Sequence, residues 1–262
     1  MRVYVLSQAL AVLALILASC TPSAEPADRP PTKQVRVLNS FPHDPAAFTQ
    51  GFAVEGNLLF EGTGQYGNSS IRRVELSTGK VLLQLRLKPD LFGEGVTILG
   101  DDLYQLSWKA RTCFVYDKNT LQWKKSFGYT GEGWGITNDG EHLYMSDGTS
   151  TIRVIDPKTF RVVKRLRVKT GRRYLSKLNE LEFIAGKIWA NVWYDDRIAE
   201  IDPRTGKVTA WIDCRNVYPA RQRPDREHVL NGIALDQDSG RIFVTGKNWP
   251  KVYEIEVVDS NP

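Results

Sequence analysis

Glu94 stands between Gly93 and Gly95 in "FGEGV", at the mouth of an apolar strand-like run, and Trp108 closes the run after it in "QLSW". A carboxyl group placed there loses water, which disfavours its charged form and raises its pKa, and a neighbouring lysine would pull the value back. An acid so balanced can take up and return a proton near neutral pH, the property of a general acid–base catalyst. Four other polar or amphipathic residues occupy comparable positions: Gln50 in "FTQGF", Trp134 in "EGWGIT", Asn179 in "LNELE" and Asn231 in "LNGIA". A second set, Trp108, Trp193 in "NVWYDD" and Lys247 in "TGKNW", closes the runs that follow, and Glu94 to Trp108 is the same separation as Asn179 to Trp193. If both sets converge, one acid, one lysine, several amides and three tryptophans surround one cavity. The same residues also suit plainer duties: the amides as caps of strand ends, Lys247 as the partner of a buried acid. His43, His142 and His228 are scattered singly, so no zinc site is expected.

What could bring these positions together is a repeat. Four segments share an apolar pair, an acid, two variable residues and a threonine: "VELSTGKV" from Val74, "VYDKNTLQW" from Val115, "VIDPKTFRV" from Val154 and "EIDPRTGKV" from Glu200. The threonines recur about every 40 to 45 residues, the spacing of propeller blades. Each segment reads as a hairpin, and upstream of each lies another pair of strands with Gly, Asn or Asp in the turn. A fifth copy, from "NGIALDQDSGRIFVTG" to "KVYEIEVV", ends one strand short, and the strand-like "QVRVLNSF", Gln34 to Phe41, is free to supply it. The fold expected is all-β, a five-bladed β-propeller whose last blade is closed by the N-terminal strand. A β-sandwich would leave the repeat period unexplained. In a propeller the first strand of each blade lines a central channel, which makes the polar register a shared rim. Trp123, Trp189, Trp211 and Trp249 lie outside it and read as packing wedges between blades.

The chain has 262 residues, 42% hydrophobic and 25% charged, enough for a full globular core. Arg2 followed by the apolar run Ala9–Leu17 reads as an export signal, too short to span a bilayer comfortably. Leu17-Ala18-Ser19-Cys20 resembles a lipobox, so residues 1–20 are expected to be a lipoprotein signal with Cys20 lipidated, giving an exported domain anchored to the cell envelope. Residues 21–33, rich in proline, read as a tether, and residues 34–262 as the propeller. Cys113 and Cys214 fall in different repeats and are read as buried free thiols. The net charge of +5 is small for the length, and the basic stretch "CRNVYPARQRPDREH" is diluted by Asp225 and Glu227, so it reads as a solvated loop and no nucleic-acid partner is expected.

Across Val35 to Val258 the chain resembles the plant and bacterial type of glutaminyl-peptide cyclotransferase, in "FTQGF", "EGTGQYGNSSIRRVELSTGKV", "FGEGVT", "GWGITNDG", "MSDGT", "LNELE", "IWANVW", "DRIAEIDP" and "VLNGIALD". The resemblance implies a five-bladed propeller that converts the N-terminal glutamine of peptides to pyroglutamate with release of ammonia, without a catalytic zinc; no cofactor is expected, and the chain is expected to act as a monomer. It implies Glu94 as the catalytic acid/base and Phe48, Gln50, Trp108, Trp134, Asn179, Trp193 and Lys247 as its pocket. A structural cation held by backbone carbonyls would leave no mark in the sequence. Asn248 and Phe52 depart from the apolar residues expected at their places. The rival readings are a lipid-anchored propeller that only binds, and a metal-dependent hydrolase, which would need several carboxylates where the register offers one.

Overall fold

The computed structural model describes Met1 and residues 29–258; Cys20 and the proposed signal lie outside the described residues. The chain forms five blades of four antiparallel strands each. Blade 1 comprises β2 (Thr49–Glu55), β3 (Leu58–Thr63), β4 (Ser70–Glu75) and β5 (Lys80–Arg86). Blade 2 comprises β6 (Gly93–Leu99), β7 (Asp102–Ser107), β8 (Thr112–Asp117) and β9 (Trp123–Gly128). Blade 3 comprises β10 (Ile136–Asn138), β11 (Leu143–Met145), β12 (Thr151–Ile155) and β13 (Val162–Arg167). Blade 4 comprises β16 (Leu178–Ile184), β17 (Lys187–Val192), β18 (Arg197–Ile201) and β19 (Val208–Asp213). Blade 5 comprises β20 (Leu230–Leu235), β21 (Ile242–Gly246), β22 (Lys251–Val258) and the N-terminal β1 (Thr32–Pro42). The inner strands meet in the cyclic order β2, β6, β10, β16, β20 and back to β2, so the repeat period does close into a ring.

Strand alternation explains how the ring holds together. Successive side chains point to opposite faces of a blade, so each blade offers one apolar face to each neighbour. Accordingly each of the five seams has its own buried cluster. Phe60 and Ile71 meet Val96 and Leu103 between blades 1 and 2, and Leu106 and Val115 meet Ile136 and Leu143 between blades 2 and 3. Ile152 and Leu166 meet Leu181 and Ile188 in the next seam, followed by Ile198 and Ile212 against Ile233 and Val244. The last seam pairs Phe243 and Val252 with Phe52 and Leu59. Each fully buried large apolar side chain contributes about 1.5–3 kcal/mol. Phe52, noted above as a departure, is therefore a seam residue with no accessible surface.

Three features differ from the sequence reading. The closing strand begins at Thr32 rather than Gln34, because Thr32 and Lys33 pair in parallel with Trp211 and Ile212 of β19. From Gln34 to Pro42 the strand pairs antiparallel with β22, with a bulge between Val37 and Asn39, so β1 joins blades 4 and 5 into one eight-stranded sheet. Second, a small hairpin, β14 (Lys169–Thr170) and β15 (Arg173–Tyr174), sits between blades 3 and 4, and a 3₁₀ turn, η1 (Ala220–Gln222), lies in the long loop before blade 5. Third, Trp189, Trp211 and Trp249 are buried packing residues, but Trp123 on the outer strand β9 is 61% exposed and wedges nothing. Cys113 and Cys214 are buried and free.

Candidate active site

At one end of the axis, five inner strands open onto a cavity of about 210 Å³. Gln50, Glu94 and Asn179 reach it from the first residues of β2, β6 and β16, and Trp134 from just ahead of β10. Trp108, Trp193 and Lys247 reach it from just beyond the ends of β7, β17 and β21, and Phe48 from the loop before β2. The two positional sets thus meet at one rim. Asn231 does not line the cavity: its amide turns aside to donate to the Thr49 carbonyl at 2.9 Å and to Gln50 Oε1 at 3.4 Å, so it orients Gln50 from behind.

Sharp local turns aim these side chains. Tyr194 and Asn248, immediately after Trp193 and Lys247, have φ of 68° and 58°, the left-handed region that reverses the chain within one residue. Asparagine tolerates that region, and Asn248 is further fixed by its side-chain bond to the Pro45 carbonyl, which accounts for a residue that looked out of pattern. The glycines flanking Glu94 answer to the backbone. A Cβ on Gly95 would lie 2.7 Å from the Trp134 carbonyl, to which the Gly95 N–H donates, and one on Gly93 would lie 2.7 Å from the Thr63 carbonyl. They let neighbouring blades close up so that Glu94 is carried into the channel.

Glu94 is only 3% exposed, and its Oε2 has no hydrogen-bond partner. Burial pushes its carboxyl well above the usual carboxylate range; Lys247 opposes that shift, the nearby Glu132 adds to it, and a hydrogen bond from Gln50 lowers it. Lys247 is drawn down to about 8 by burial, against the attraction of Glu94 and Glu227. Its ammonium lies 4.7 Å from the Phe48 ring centre and 5.9 Å from that of Trp193. Trp134 and Trp193 meet edge to face with ring centres 5.7 Å apart, and Trp108 meets Phe92 in the same way at 5.5 Å. Two further lining atoms, Asn179 Oδ1 and Trp193 Nε1, are buried without partners, so an acceptor, a donor and a carboxylate oxygen are all available to a bound molecule.

Sequence reasoning missed four residues here. Gln65, Phe92 and Glu227 also line the cavity, and Glu132 receives both the Trp108 and Trp134 indole N–H groups on one oxygen, at 2.7 and 2.9 Å. Phe92 was within sight, next to Gly93. Glu227 belongs to the basic loop read as solvated, where Arg215, Arg223 and Arg226 are each paired with an acid. It is held at the rim by the Tyr194 hydroxyl, which donates to it at 2.6 Å. Beyond the register, where Glu94 is the one acid, β16 buries Glu180, which accepts the Ile233 N–H, and carries Glu182, bound by Thr137 and Leu235. Among the described residues, no three His, Cys, Asp or Glu side chains are grouped to hold a metal ion.

Comparison with known proteins agrees with this architecture. A family model described as glutamine cyclotransferase matches residues 10–257. A glutaminyl-peptide cyclotransferase of Arabidopsis thaliana is 45% identical over 228 residues, 86% of this chain and 71% of the relative. The crystal structure of Myxococcus xanthus glutaminyl cyclase superposes with a TM-score of 0.82 at 34% identity, covering 88% of this chain and all of that one. With its fold, its rim of matched motifs and these relatives in agreement, the chain belongs to the glutamine cyclotransferase family.

Proposed function

We propose that this chain is a glutaminyl-peptide cyclotransferase, with Glu94 as its acid/base. The observation that carries the assignment is a buried carboxyl with a free oxygen, opposite a buried lysine, in a tryptophan-walled cavity of about 210 Å³. That volume lies below the roughly 300–1,000 Å³ of pockets for larger ligands, and suits one terminal residue. The glutamine side chain curls between Trp108, Trp134 and Trp193, which brings its amide carbon to its own amine and makes the attack intramolecular. As the amine nitrogen attacks that carbon, its proton passes to the Glu94 carboxylate. Lys247 and the Trp193 indole N–H face the oxygen that becomes negative. Glu94 then returns the proton to the amide nitrogen, the carbon–nitrogen bond breaks, and ammonia leaves with the lactam formed.

Ammonia release from a glutaminyl dipeptide tests the reading directly, because a propeller that only binds releases none. The pH dependence tests the assignment further. A deprotonated substrate amine favours attack, so a fall in kcat/KM at alkaline pH cannot come from the substrate. That fall is expected near pH 8, where Lys247 loses its charge. Lys247→Met should abolish the alkaline limb and move the acid limb upward, since Glu94 loses the cation that favours its ionised form; an unchanged alkaline limb would assign it elsewhere.

Glu132 positions the walls rather than reacting. Glu132→Ala leaves both indole N–H groups without their shared charged acceptor, a loss of about 1.5–3 kcal/mol per bond before water substitutes. The expected result is a KM raised roughly tenfold with a smaller fall in kcat, and Glu132→Gln, which keeps an acceptor, should recover much of it. A collapse of kcat at constant KM in steady-state assays would contradict this role.

A further inference from the structure

Between Pro157 and Asn179 the chain carries nine cations, Lys158, Arg161, Lys164, Arg165, Arg167, Lys169, Arg172, Arg173 and Lys177, and no acid. Antiparallel order within blade 3 sends β13 towards the cavity end of the axis, so the β14–β15 hairpin that follows stands on the same face as the cavity mouth. The hairpin is connected to the mouth by backbone: Lys177 N–H donates to the Gly148 carbonyl at 2.8 Å, and Gly148 packs against the Trp134 ring. Arg167 and Lys169 both lie over Tyr174, at 4.6 and 4.7 Å from its ring centre, and Tyr174 is 53% exposed. Arg165, Arg167, Lys169, Arg173 and Lys177 have no carboxylate partner among the described residues. Around the mouth the acids are already engaged: Glu132 by two indoles, Glu227 by Tyr194 and Arg226, Asp147 by Arg153, Asp195 by Arg197 and Asp196 by Arg223.

We propose that this cationic flank of the mouth binds an acidic segment of the substrate peptide, a few residues beyond its N-terminal glutamine. The proposal rests on the cyclotransferase reading of the cavity. A cavity sized for one residue forces the rest of the peptide out across the rim. Tyr174 and Asn179 are five residues apart, at most about 17 Å of extended chain, so a substrate of similar length reaches the hairpin with its fifth to seventh residues. The exposed Arg167, Lys169 and Arg173, which have no carboxylate partner among the described residues, raise the local concentration of anionic peptides and fix their direction of exit, while adding little to the hold on the glutamine itself. The substrates favoured are therefore glutaminyl peptides and proteins with acidic residues near the start of the chain.

The test compares kcat/KM for Gln-Ala-Ala-Ala-Asp-Asp-Asp and Gln-Ala-Ala-Ala-Lys-Lys-Lys, with the dipeptide Gln-Ala alongside, in the wild type and in Arg167→Glu/Lys169→Glu/Arg173→Glu. The wild type should favour the acidic peptide roughly five- to tenfold at low ionic strength, with the preference shrinking in 0.5 M salt, about where screening shortens below 5 Å. The triple variant should reverse the preference and leave dipeptide turnover unchanged. Equal rates for the two heptapeptides in the wild type, or an acidic preference that survives the triple substitution, would overturn the proposal. So would a variant that loses only its binding to phosphatidylglycerol vesicles or duplex DNA, which would give the flank to another anionic partner. Dipeptide turnover by the wild type reads the cyclotransferase function itself, so a failure of selectivity and a failure of catalysis are told apart.

Discussion

Exchange of Glu94 for glutamine is expected to lower kcat for a glutaminyl dipeptide by about 10²–10⁴-fold, the usual contribution of a positioned general acid–base group. KM should change little, because the amide has the shape of the carboxyl and the tryptophan walls stay in place. Stability should move the other way or not at all. Glu94 is buried with an unpartnered oxygen and a strongly raised pKa, so the native state bears the cost of desolvating it, and a neutral isostere removes that cost. Ammonia release and thermal unfolding of the same preparation check both halves. Near wild-type turnover in a folded variant would end the assignment of Glu94.

The second large effect concerns stability. Beneath Gln50, Glu61 is fully buried and accepts hydrogen bonds from His43 at 3.0 Å, from the Thr49 hydroxyl at 2.7 Å and from Arg72 at 2.7 Å, while Arg72 also reaches Asp44 at 2.8 Å. The other His43 ring nitrogen faces the Trp249 carbonyl at 2.6 Å, so both nitrogens face acceptors and the ring is held as a cation. This cluster ties the segment bearing Phe48 and Gln50 to the turn bearing Lys247. Arg72→Leu leaves the Glu61 charge short of a partner and should cost about 3–5 kcal/mol in urea unfolding, whereas removing both charges together, Arg72→Leu with Glu61→Leu, should cost less than Arg72→Leu alone. If Arg72→Leu unfolds at the wild-type midpoint, the cluster contributes nothing.

The same cluster sets a pH window. Burial would raise the Glu61 pKa, but His43 and Arg72 outweigh it and bring it from 4.5 to about 2. Its stabilisation is therefore full above about 4.5 and is lost as the pH falls towards 2. For His43, burial lowers the pKa and Glu61 more than restores it, so the folded value lies above 6.5. That contribution is full below 6.5 and is lost as the pH rises through the folded value.

Much of this was legible in the chain because turns and strand alternation are local. The four hairpins with an acid, a turn and a threonine appear as β4–β5, β8–β9, β12–β13 and β18–β19, and their period is the blade. Once the ring is granted, equal positions in equal repeats must converge, which is why Gln50, Glu94, Trp134 and Asn179 share a rim. Where repeats are unequal, the inference weakens. Asn231 and Lys247 are separated by more than Glu94 and Trp108, and there the expected lining residue turned away. Residues placed by irregular loops, such as Glu132, Glu227 and Gln65, carry no period to find. The His43–Glu61–Arg72 cluster joins a loop to two strands, and only three-dimensional contact reveals it.

The joint made by β1 bears on how the protein lasts. The other seams hold side-chain clusters with single backbone bonds such as Gly95 N–H to the Trp134 carbonyl, but between blades 4 and 5 continuous strand pairing runs through, from β19 to β1 and on to β22. Residues more than two hundred positions apart must meet to make it, so it forms late in folding, after the costly closure of the longest loop in the chain. Bonds formed after the folding barrier must break before the unfolding barrier is crossed, so they act chiefly on the rate of escape from the native state. An enzyme sealed in this way is expected to resist proteolysis and heat by being slow to open, beyond what its equilibrium stability alone would confer.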